Sequence, residues 1–189
     1  MTLVLKTMVQ QSSKWADRFI KAAIVQGALA AALTSYLLYE GLFGSPPASK
    51  IVAGGGAGTW LLVGYLVYLP LGPIAAAVTA TFYQHLEAHM QRSYTGLTNL
   101  LAWTHIILMN VGVVGATWLM MNAGYRGGAS TFPVSQGGLG YSGANAGLVH
   151  ATIMVGYPPY IAAFIAIAIA GAIAGGLGYL LNWRRQISH

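Results

Sequence analysis

Leu97-Thr98-Asn99-Leu100-Leu101-Ala102-Trp103-Thr104-His105-Ile106-Ile107-Leu108-Met109-Asn110-Val111-Gly112-Val113-Val114-Gly115-Ala116-Thr117-Trp118-Leu119-Met120-Met121 contains no charged residue. A helix needs about 20 mostly apolar residues to cross a bilayer, and this stretch is long enough. Three more stretches read the same way: Phe19 to Phe43, Gly58 to Tyr83 and Tyr160 to Trp183. The whole chain agrees. Its 189 residues are 56% apolar and 6% charged, with mean hydropathy +0.62. An average soluble domain carries roughly 25% charged residues. Nine Lys/Arg and three Asp/Glu do not cover the surface of a compact soluble domain of this size. The expected fold is therefore an all-α integral membrane domain of four transmembrane helices. A soluble enzyme and a nucleic-acid binder are excluded. Without cysteine there is no disulfide framework, thiolate metal site or Fe–S cluster.

The span ends carry recognisable signals. Ser12 and Ser13 are candidate caps for the first helix, with Asp17 in its early turns. Gly44-Ser45-Pro46-Pro47 ends it. Its length, and the poor cleavage context near Ala48, read it as a retained span and not as a signal peptide. Pro70 and Pro73 inside the second span predict a kink tolerated within the bilayer. Residues 122–144, rich in Gly and Ser, read as a long outer loop. Beyond it, the apolar run Leu148 to Trp183 is broken at Gly156-Tyr157-Pro158-Pro159. Asn145 to Val155 then forms a short helix at the outer interface, or else the whole run is one long kinked helix.

Charge orients the bundle. Lys6, Lys14, Arg18, Lys21, Arg92, Arg184 and Arg185 fall on one side of a four-span arrangement, Lys50 and Arg126 on the other. The positive-inside rule then places both termini in the cytoplasm and the chain as a multi-pass protein of the cell membrane. Trp15 and Trp183 are expected in the inner aromatic belt, Trp60 and Trp118 near the outer one. Trp103, about 9 Å inside its span by helix rise, is expected to pack between helices.

Few residues offer chemistry. His105 lies inside a span, about 12 Å from its inner end. Such a residue serves as a hydrogen-bonding group between helices, a haem or metal ligand, or a proton carrier. Thr104 and Asn110 are its nearby polar neighbours. His85 and His89 share a helix face at the inner end of the second span, with Glu87 pointing away. They offer two metal ligands, and zinc or copper needs more from elsewhere. His150 lies near the outer face, too far in depth from His105 for one haem to join them. Asp17, Glu40 and Glu87 all sit at span ends, which weighs against a pump or ion-coupled transporter.

Small residues dominate the packing signals. Ala162, Ala166, Ala170, Ala174 and Gly178 recur every fourth position in the last span, beside Gly171 and Gly175. Gly112, Gly115 and Ala116 form a shorter version in the third. Such spacing lets helix backbones approach closely in lipid, within the chain or against a partner.

Trp103-Thr104-His105-Ile106-Ile107-Leu108-Met109-Asn110-Val111-Gly112-Val113-Val114-Gly115, with Gly124-Tyr125-Arg126-Gly127-Gly128 after it, resembles late helices of the catalytic subunits of haem–copper oxidases and nitric oxide reductases. That subunit has about twelve spans and six metal-ligand histidines, so four spans with one core histidine are not it. No catalytic residue carries over. The resemblance implies membership of, or descent from, respiratory membrane complexes. The expected function is an accessory subunit of such an oxidoreductase complex, not catalytic by itself. It would pack beside a catalytic subunit, among lipids, and help shape a cofactor or quinone pocket. A small haem-b or quinone-binding electron-transfer subunit using His105 is the alternative, and a small channel or permease the second. The expected partners are other membrane subunits and the bilayer, not nucleic acid.

Overall fold

A computed structural model describes residues 13–184. Six helices of five residues or more follow one another: α1 Lys14–Phe43, α2 Ala48–Ala53, α3 Gly56–His89, α4 Gly96–Ser130, α5 Leu148–Thr152 and α6 Tyr157–Arg184. No strand occurs among the described residues. α1, α3, α4 and α6 are each long and apolar enough to cross a membrane. The chain runs up and down, so the start of α1, the end of α3, the start of α4 and the end of α6 meet. There Trp15 packs on Tyr83 and Tyr94, and Asn182 Nδ2 donates to the Arg92 carbonyl at 3.0 Å. This is the terminal end. α2 and α5 lie at the opposite, loop end.

α1 begins where its first orphan N–H groups find partners. Ser13 Oγ accepts from Ala16 N at 3.0 Å and donates to Glu87 Oε2 at 2.5 Å. The same carboxylate oxygen accepts from Trp15 N at 2.9 Å. Glu87 thus caps a helix 74 positions away in sequence. Ser12, the other expected cap, lies outside the described residues, as do Lys6 and Arg185.

α3 does not break at its prolines. It opens as a 3₁₀ turn over Gly56–Gly58 and continues as α-helix to Leu69. It widens to a π turn over Pro70–Ile74, and again over His85–His89. Pro73 has no N–H, and its ring collides with the carbonyl four residues back in a regular helix. The wider turn carries one extra residue, and Ala75 N reaches back to Pro70 O.

α4 corrects the expected loop over 122–144: the helix runs on to Ser130. Its glycines are there for contact and not for flexibility. A side chain at Gly124 would strike the Leu61 backbone, one at Gly127 the Met154 sulfur, and one at Gly128 the Ile51 side chain and Gly58. The connecting segment is shorter, and it folds back so that Leu139 N and Tyr141 N both donate to Ser130 O, at 3.2 and 3.1 Å.

Pro158 and Pro159 sit in the first turn of α6, where a missing N–H costs no hydrogen bond. α5 is separate from it and shorter than the expected 145–155. The single kinked helix is therefore not formed. Val149 of α5 is fully buried beside Ala57, Ala123 and Met154.

Two tryptophans depart from expectation. Trp15 is 1% exposed and belongs to the core, not to a belt. Trp103 is 42% exposed on the bundle surface, edge-on to Trp15, and not packed between helices. Trp183 and Trp118 are on the surface.

Candidate functional site

His105 stands on α4 where three other helices converge. Its ring centroid lies 5.0 Å from that of Phe19 on α1. Its Nδ1 is 3.1 Å from the Tyr83 hydroxyl on α3. Gly175 on α6 lies so close that a Cβ there would fall on the imidazole. The ring is buried and partnered. A haem plane approaching Nδ1 would have to displace Tyr83.

Thr104 and Asn110 do not join it. Thr104 Oγ1 donates to its own helix at Leu100 O. Asn110 turns to a second polar group one turn farther along. Its Oδ1 accepts from Gln26 Nε2 at 2.8 Å, and its Nδ2 donates to Ile106 O at 2.6 Å. Gln26 Oε1 accepts from the Tyr68 hydroxyl at 2.5 Å. Gln26, Tyr68 and Asn110 thus link α1, α3 and α4 without a charge. The signal in the sequence was Gln26 itself, a lone amide within the first span, where an unpaired polar group is costly.

His85 and His89 share a face as expected, with ring centroids 5.9 Å apart. Glu87 points the other way, into its capping contacts. Among the described residues no three His, Cys, Asp or Glu side chains gather to hold a metal.

The small residues fall into two sets. Gly112 and Gly115 on α4 receive Ala168 and Phe164 of α6, and Gly171 and Gly178 on α6 receive Met109 and Leu101 of α4. With buried Ala116 and Ala174, they form a contact inside the chain. Ala166 and Ala170 lie on the exposed face of α6.

A groove of about 390 Å³ opens between α1 and α4 towards the loop end. Leu29, Leu33 and Trp118 make apolar walls. Tyr36, Asn122 and Tyr125 give it a polar end. Tyr125 donates to Glu40 Oε2 at 3.0 Å, and Asn122 Oδ1 accepts from the Tyr157 hydroxyl at 2.5 Å. The Asn122 amide N–H groups are left as donors.

At the terminal end a second cavity, about 530 Å³, lies between the starts of α1 and α4. Lys14, Arg18, Glu87, Ser93 and Asn99 are among its lining residues. Tyr94 also borders it, and its hydroxyl is buried with no partner among the described residues. Burial, and then Tyr83, Glu87 and Tyr179 beside it, push that phenol well above its ordinary range. It stays neutral at physiological pH.

No known protein family, curated protein or solved structure matches this chain.

Proposed function

We propose that this chain is an accessory subunit of a larger membrane oxidoreductase complex, packing beside a catalytic subunit and forming one wall of a quinone pocket. The observation that carries the reading is the groove between α1 and α4. Its apolar length suits an isoprenoid tail, and its polar end holds a hydrogen-bond donor, Asn122, for a quinone carbonyl. Elsewhere in the bundle His105 pairs with Tyr83, and Gln26 bonds to both Tyr68 and Asn110. The resemblance of residues 103–128 to respiratory subunits points to the same setting.

Isolation from native membranes in mild detergent tests the proposal. The chain should co-migrate with larger subunits, and organic extraction of that band should yield quinone. Ala32→Phe fills the groove from an exposed wall position. It should lower the quinone content while leaving co-migration unchanged. A chain that migrates alone and carries no quinone would overturn the reading.

A further inference from the structure

The cavity at the terminal end plays no part in the proposed quinone wall, and its chemistry differs. Lys14 and Arg18 supply two positive charges to it and Glu87 one negative. Among the described residues the only ion pair is Lys21–Asp17, so neither cavity cation has a carboxylate partner there. Glu87 Oε2 is occupied by Ser13 and Trp15 N. One positive charge is left over.

Arg18 is held in place. Its guanidinium carbon lies 4.3 Å from the Trp15 ring centroid and 4.5 Å from that of Trp103. Cation–π contact with two indoles fixes the side chain while leaving its N–H edges available. The guanidinium fork matches two oxygens of a phosphate. Ser93 and Asn99 add neutral donors at the rim. Gly96, the first residue of the 35-residue α4, also lines the cavity, so the positive end of that helix faces the same space.

An apolar track starts at the same point. Leu100, Trp103 and Ile107 share one face of α4 and are 61%, 42% and 52% exposed. Trp103 is at once a clamp for Arg18 and part of that track. A ligand with a phosphate at one end and a hydrocarbon chain at the other fits both features, whereas a free anion uses only the first. The single uncompensated charge matches one phosphodiester. A zwitterionic headgroup would bring an additional ammonium, which the leftover positive charge repels.

We propose that this cavity is a headgroup site for an anionic phospholipid, with the phosphodiester held by Arg18 and Lys14 and an acyl chain laid along Leu100, Trp103 and Ile107.

Native mass spectrometry of the full-length protein in detergent tests it, with phosphatidylglycerol, phosphatidylcholine or inorganic phosphate added in separate arms. Wild type should retain one phosphatidylglycerol in preference to phosphatidylcholine, and phosphate should not displace it. Lys14→Gln, at an exposed first-turn position, should weaken retention about tenfold, the worth of one charge-assisted hydrogen bond. Arg18→Lys should weaken it too, although the charge is kept, because the fork and the indole clamp are lost. Lys50→Gln, at the loop end, should change nothing. Circular dichroism checks that each variant is folded. Equal retention by wild type, Lys14→Gln and Arg18→Lys would overturn the site. Equal retention of the two lipids would overturn the anionic headgroup. Displacement by phosphate would overturn the lipid and leave a free-anion site. None of these outcomes depends on whether larger subunits or quinone accompany the chain.

Discussion

Replacing His105 by alanine would empty the space between Phe19, Tyr83 and Gly175 and strip the Tyr83 hydroxyl of its partner. Cavity and orphaned hydroxyl together cost about 2–4 kcal/mol. Tyr83→Phe removes the hydrogen bond and keeps the packing, so its cost is about 1 kcal/mol. Thermal melting in detergent should therefore rank His105→Ala well below Tyr83→Phe, with Tyr83→Phe just below wild type. Equal melting points would mean that the imidazole carries no packing load. Gln26→Leu should fall between them, because it leaves both Tyr68 and Asn110 without their shared amide. At this scale the sequence exposes which residues are polar within spans, but not their partners. His105 and Tyr83 are brought together by the antiparallel return of the chain, and no local spacing reports that. Arg18 had a local signal, since Trp15 lies three residues before it on the same helix face. The second indole, Trp103, comes from another helix and is invisible until the two meet.

α4 and α6 meet through glycines, and that contact sets the element-scale expectation. A Cβ at Gly171 would lie 2.6 Å from the Met109 nitrogen, against backbone that has no way to swing aside. Gly171→Leu should force the two helices apart. Overpacking of this kind costs about 1–3 kcal/mol in soluble cores, and lipid imposes no hydrophobic penalty on the separated pair. Limited proteolysis of the purified variant should show faster cleavage in 131–147, the segment that tethers α6 to α4. Ile173→Leu lies on the exposed face and should match wild type. The GxxxG spacing announced a close contact without saying whether a partner or the chain itself would supply it. The end of α4 was illegible for a related reason. Gly, Ser and Ala in water mark a flexible segment, whereas between packed helices they mark close approach. Composition reports the residues and not the surroundings that decide between these.

Across the whole molecule, four long apolar helices bring the start of α1 and the end of α6 to the same end of the bundle, and the cations beside them predict the cytoplasmic side. Reporter fusions at Arg92 and after Arg184 should read as cytoplasmic, and fusions at Lys50 and Gly137 as external. A split result between Arg92 and Arg184 would remove one crossing from the fold. The apolar runs made the four long helices readable, because a bilayer thickness is a length that sequence can be measured against. The loop end was less readable, since its contacts join distant segments. Gly124, Gly127 and Gly128 receive Leu61, Ala57, Gly58 and Ile51 from one side and Met154 from the other. The ribosome delivers those pieces in chain order. Half of the socket around the last turns of α4 exists when they emerge, and the other half is still to be made. The closure of this socket therefore waits on residues 148–154, and a nascent chain stopped short of them would leave the tip of α4 exposed on one side to chaperone or protease.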